Sequence, residues 1–266
     1  NRVAHNELSR LAYSGISVGW TWGFGRADAS HNIIESNFLH DIGQGMLSDL
    51  GAIYMLGPTK GSVVRRNRIE NVFSFAQKDS GATAWGIYLD EGSSDVLVEE
   101  NLVSNTTGGG FHLHYGNKNI VRNNIFTGGK LAQARRSGKK DSTLLFERNV
   151  LAADEGVIYS GEWQDAGVRS HGNVFFRKNG RFDYRGQTLD MLKSKGFEHD
   201  SLETYLGQLC IDGNCSLPLA DATRTGFKKF SVVKAGIVER GLLLTRWLER
   251  CTTSKGRYSS MDRTGC

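Results

Sequence analysis

A chain of 266 residues is long enough to bury a continuous core without metal or disulfide staples, and 33 glycines beside only 2 prolines suit many short strands joined by tight turns. The formal charge of +5 does not describe a nucleic-acid surface, because residues 224–266 hold ten Lys/Arg against three acids and leave residues 1–223 at −2. No apolar run of about 18 residues occurs, so no membrane-spanning helix is expected.

In chain order, the first signal is a repeat. The form apolar-x-x-Asn-x-apolar appears as VAHNEL (3–8), IESNFL (34–39), VRRNRI (64–69), VEENLV (98–103), VRNNIF (121–126), FERNVL (146–151) and, more loosely, RSHGNVF (169–175). Its asparagines are Asn6, Asn37, Asn67, Asn101, Asn124, Asn149 and Asn173, spaced by 31, 30, 34, 23, 25 and 24 residues. Between them runs a second segment that often opens with Gly: GISVGW (15–20), AIYMLG (52–57), GIYLDE (86–91), GFHLHY (110–115) and GVIYSG (156–161). Two short strands per coil, with variable loops, predict an all-β right-handed parallel β-helix whose coils share one core. An Asn at the same corner of each coil tolerates left-handed backbone and hydrogen-bonds to the Asn one coil away. The chain opens at Asn1, without Met and already inside this repeat, which reads as a fragment of a longer protein.

The solenoid is expected over 1–180. The basic stretch KLAQARRSGKKD (130–141) reads as a solvated loop. Residues 181–238 read as a less regular C-terminal end, with a short helix in TLDMLKSKG (188–196) and a final strand region in 226–238; 239–266 read as a basic, poorly ordered tail. Cys210 and Cys215 pair if the protein is secreted, and their spacing is a weak zinc signal.

Aligning the second segments puts Ile16, Ile53, Ile87, Phe111 and Val157 in one inward column, with Val18, Met55, Leu89, Leu113 and Tyr159 two residues on. The intervening residues face out. They read Ser17, Tyr54, Tyr88, His112, Ile158 and then Gly19, Leu56, Asp90, His114, Ser160. Neighbouring coils lie about 4.8 Å apart, so Tyr54, Tyr88, Asp90, His112 and His114 form one patch. Trp20, Trp22 and Trp85 flank it on loops and offer faces for sugar rings. Asp49 lies one coil earlier, where a loop enters the same sheet, and Glu91 is the runner-up acid. Two carboxylates over an aromatic cleft meet the needs of glycosidic hydrolysis, one protonated and one ionised. The histidines read as hydrogen-bonding groups rather than metal ligands, and no metal or cofactor is called for.

LSDLGAIYMLG (47–57), WGIYLDEGSS (85–94), TTGGGFHLHYGNKNIVRNNIF (106–126) and YSGISVGWTWGFG (13–25) resemble the core of glycoside hydrolase family 141 over about residues 1–180. The resemblance implies a right-handed parallel β-helix acting on plant cell-wall polysaccharide, as an α-L-fucosidase on pectin or a xylanase, with Asp49 and Asp90 as the catalytic pair. It also implies a secreted or periplasmic setting; the chain itself is expected to be a monomer. Other readings are a polysaccharide lyase on the same fold and a non-catalytic carbohydrate-binding solenoid.

Overall fold

A computed structural model describes residues 1–76, 82–138, 142–205 and 209–237. The chain winds as a right-handed parallel β-helix with three sheets rather than two. The first sheet stacks Arg2–Ala4, Ile33–Glu35, Ser62–Arg65, Val96–Glu99, Asn119–Arg122, Leu144–Glu147 and Val168–His171. The second stacks Glu7–Leu11, Phe38–Ile42, Arg68–Val72, Leu102–Thr106, Ile125–Gly129, Val150–Ala153, Val174–Arg177 and Leu202–Glu203. The third stacks Ile16–Gly19, Leu50–Leu56, Ala84–Leu89, Gly109–Leu113, Ala132–Arg136 and Val157–Gly161. The expected two strands per coil become three because each Asn motif holds a corner inside it. The residues before the Asn end a first-sheet strand and those after it begin a second-sheet strand.

The asparagines form a ladder. Each amide Nδ2 donates to the next Oδ1, from Asn6 to Asn37 (2.9 Å) through Asn67, Asn101 and Asn124 to Asn149 and Asn173 (3.3 Å). The left-handed residue is not the Asn, as the motif suggested, but its predecessor: Ser36, Arg66, Glu100, Asn123 and Arg148 all have φ near +55°. Turning the chain one residue early leaves the Asn side chain aimed along the stack.

The core is three inward columns, one per sheet. Ile34, Val64, Val98, Val121 and Phe146 face Leu39, Ile69, Val103, Phe126 and Leu151, and both meet Ile16, Ile53, Ile87, Phe111 and Ala134. The recurring Gly of the third sheet is a packing requirement. A Cβ on Gly86 would lie 2.2 Å from Val103 Cγ1, and one on Gly110 would lie 2.5 Å from a Phe126 ring carbon.

Residues 130–138 are not a solvated loop. They contain the strand Ala132–Arg136, a full rung between Gly109–Leu113 and Val157–Gly161. That rung opens with Ala132-Gln133 instead of Gly, which hides it from the pattern. Its presence shifts the last alignment, so Tyr159 rather than Val157 shares the inward column with Phe111 and Ala134.

Beyond the last coil, Leu189–Ser194 is a short helix capped by Thr188, and Leu219–Thr225 is a second that ends on left-handed Gly226. Among the described residues of 226–238, where a longer strand was expected, the strand is Phe230–Ser231 alone. It closes a small antiparallel sheet with Cys210–Ile211 and Asn214–Cys215, which a Cys210–Cys215 disulfide staples. The expected tail at 239–266 lies outside the described residues.

Candidate active site

The site grows on the outer face of the third sheet. Register places Tyr54, Tyr88, His112 and Arg135 in one outward column. Their rings pack in series, Tyr54 on Tyr88 at 4.9 Å and Tyr88 on His112 at 4.6 Å. Two residues further along, Asp90, His114 and Ser137 occupy equivalent places just past their strands. Their backbone N–H groups each donate to the previous coil, on Met55, Leu89 and Leu113. Asp49 stands at the opposite end of the strands, in left-handed backbone (φ 56°) immediately before Leu50–Leu56. Asp tolerates that geometry better than most residues.

The side chains converge. Asp90 has both oxygens engaged: Oδ2 accepts from the Tyr54 hydroxyl, and Oδ1 lies 2.8 Å from His114 Nδ1. Tyr88 donates to Asp49 Oδ1 at 3.2 Å, and Tyr13 donates to the Asp49 carbonyl at 2.7 Å. Glu91 accepts from Tyr115 at 2.8 Å and stands 4.0 Å from His114. Asp49, Asp90, Glu91, His114 and Trp22 line one open cleft of about 210 Å³, with Tyr88, His112 and Ser137 at its floor.

The two aspartates are driven apart in protonation. Burial pushes the Asp49 carboxyl above its ordinary value and the nearby Asp90 charge pushes it further, against one hydrogen bond from Tyr88. Burial would also raise Asp90, but hydrogen bonds from His114 and Tyr54 outweigh it and hold that carboxyl below the usual range. The same bond raises His114 and favours its imidazolium, whereas full burial keeps His112 neutral. Tyr54 and Tyr88 are raised by burial and stay protonated donors. One cleft therefore presents a carboxyl inclined to keep its proton beside a carboxylate inclined to lose it.

Among the expected aromatic contacts, Trp22 lines the cleft and is 63% exposed, and Trp20, half exposed, packs at a tilt on Tyr54 at 5.4 Å and edge-on with Trp22 at 6.1 Å. Trp85 does not belong with them. It is fully buried on the sheet, packed with Leu56, Tyr54 and Tyr88 and 4.7 Å from the His112 ring, so it supports the floor and offers no face to a sugar. Three residues went unnoticed in the sequence. Tyr13 belongs to no repeat, Tyr115 lies one residue past the alternating strand, and Ser137, which meets His112 Nε2 at 2.8 Å, sits on the unrecognised rung. Correct placement of that rung would have aligned Ser137 with Asp90 and His114.

No curated protein and no solved structure matches this chain. A family model described as "Right handed beta helix region" matches residues 1–151, more than half of its length, and the chain belongs to that family.

Proposed function

We propose that the chain is a glycoside hydrolase of plant cell-wall polysaccharide in which Asp49 is the general acid and Asp90 the ionised carboxylate. The observation that carries this reading is the opposite protonation bias of two carboxyls facing one cleft. Glycosidic cleavage asks for that asymmetry, with a proton for the leaving oxygen and a carboxylate that either bonds to the anomeric carbon until water displaces it or takes a proton from the water that attacks that carbon. In this scheme Asp49 gives its proton to the glycosidic oxygen. Asp90, held at both oxygens by Tyr54 and His114, faces the developing positive charge at the anomeric carbon. Trp22 supplies an exposed ring against which a sugar face stacks. Within the β-helix family, the resemblance to glycoside hydrolase family 141 supports an α-L-fucoside of pectin or a xylan as substrate. The Cys210–Cys215 disulfide supports an oxidising, secreted or periplasmic setting.

Assay of a fucosylated pectin and xylan panel with wild type, Asp49→Asn and Asp90→Asn tests the assignment. Each substitution is expected to lower turnover by about 10²–10⁴-fold, the usual worth of a positioned acid or base. Products absorbing in the ultraviolet would point to a lyase instead. Sugar binding without turnover, indifferent to Asp49→Asn, would mark a binding module.

A further inference from the structure

A second cavity lies apart from the carboxylate cleft. It measures about 700 Å³ and shares no lining residue with that cleft. One wall is the asparagine corner of the solenoid, with Arg2, Glu35, Arg66 and Glu100. The other is the C-terminal segment, with Asn214, Lys229 and Lys234. Its volume lies within the roughly 300–1,000 Å³ of small-molecule sites.

The charge on these walls is unbalanced. Both carboxylates are already matched, Glu35 by Arg2 and by Arg65 at 2.7 Å, and Glu100 by Arg66 at 2.7 Å. Lys229 and Lys234 make no ion pair among the described residues. Two lysines thus line a cavity whose acids are spoken for, leaving a positive potential that an anionic ligand would answer. The wall that carries them is held in place. His5 Nδ1 meets the Lys234 carbonyl at 3.0 Å, and the Gly236 N–H donates to Ser36 at 2.9 Å. Lys228 and Asn123 exchange two hydrogen bonds, and the disulfide fixes the hairpin that bears Asn214. A fixed wall limits the ordering cost of binding.

We infer that this cavity is a second, non-catalytic site for an acidic oligosaccharide, with Lys229 and Lys234 meeting its carboxylates. The anionic character of the ligand rests on the cavity alone, and its being a sugar rests on the proposed chemistry of the cleft. Such a site would hold an acidic stretch of polysaccharide apart from the bond being cut.

Calorimetric titration of the whole chain with trigalacturonate tests it, and needs no turnover. Binding is expected, weakening with added salt, and at least ten-fold weaker in the double variant Lys229→Gln, Lys234→Gln. Loss of two lysines elsewhere, Lys118→Gln with Lys178→Gln, is expected to leave it unchanged. Xylotriose, neutral and of equal length, is expected to bind far more weakly at this site. The inference is overturned if wild type ignores trigalacturonate, if both double variants behave alike, or if xylotriose binds as well and depends on the same lysines. Asp90→Asn is expected to keep trigalacturonate binding intact, so failure of the hydrolase reading shows in turnover and failure of this one in binding.

Discussion

Asp49 and Asp90 favour opposite protonation states, and stability inherits the difference, as does activity on the proposed reading. Asp49 has a raised carboxyl, so its contribution to folding is fully present below its unfolded value and is lost as pH rises through the folded one. At neutral pH it is a burden, and Asp49→Asn is expected to raise Tm at pH 7 even as it lowers turnover. Asp90 is depressed, so its contribution is present above its unfolded value and is lost as pH falls through the folded one. Asp90→Asn, which leaves His114 facing an amide, is therefore expected to lower Tm at pH 7. Thermal melts of the two variants check both signs, and equal shifts would contradict the division of roles. The rate profile follows the same logic. A bell is expected, with its acidic limb set by ionisation of Asp90 and its alkaline limb by loss of the Asp49 proton. Tyr54→Phe removes a donor to Asp90, so its acidic limb is expected to move to higher pH while the alkaline limb stays. At this scale period-two alternation was enough to find Tyr88, Asp90 and His114. Asp49 lies outside any strand, and its place where a loop enters the same sheet, one coil before Asp90, singled it out where alternation could not.

Among the elements, the asparagine corner divides its work between two adjacent residues. Asn101 Oδ1 accepts from both the backbone and the side chain of Asn67, each at 3.0 Å, and its Nδ2 reaches Asn124 Oδ1 and the Val64 carbonyl. Asn101→Ala strands two buried donors on Asn67, each costing roughly 1–3 kcal/mol. A loss of about 3 kcal/mol by urea titration is expected. The preceding residue carries the backbone strain instead. Ser36 sits at φ 55°, so Ser36→Gly is expected to be neutral or stabilising, where Asn101→Ala is not. If the two behaved alike, the Asn would be the strained residue after all. The motif showed that the corner existed but not which residue turned, because sequence spacing is blind to φ. Beside the ladder runs a second one that the spacing also concealed. Glu35, Arg65, Glu99, Arg122 and Glu147 form one outward column of alternating charge, with Arg65 on Glu35 at 2.7 Å and Arg122 on Glu99 at 2.8 Å, and His171, which burial biases towards its neutral form, continues the column. Opposite charges across each parallel pair reinforce the register that the Asn column sets.

For the molecule as a whole, the outward face of the second sheet changes character along the stack. Its column reads Glu7, Phe38, Arg68 and then Leu102, Ile125, Val150, Val174 and Leu202. An apolar outer column needs a cover, and the C-terminal segment provides it: Cys215, Leu217, Phe227, Phe230 and Val232 bury themselves against Ile125, Val150 and Val174. The switch from polar to apolar after each Asn was present in the sequence from residue 102 onward. Its meaning was hidden because the position after the Asn looks like part of the core unless the corner is placed. Coils of a solenoid bind mainly their neighbours, so this cover ties together rungs that are distant in sequence, and its end reaches the first coils through Lys234 and Gly236. Phe227 is buried in the cover and touches neither the carboxylate cleft nor the larger cavity. Phe227→Ala removes a buried ring, a change usually worth about 3–5 kcal/mol, and the loss falls first on the segment's docking rather than on the coils. Limited proteolysis is expected to cut within 209–237 while leaving the coils intact, with dye binding to the bared Ile125–Val150–Val174 strip and turnover on small substrates retained. Cleavage spread evenly through the coils would show instead that cover and solenoid unfold as one unit.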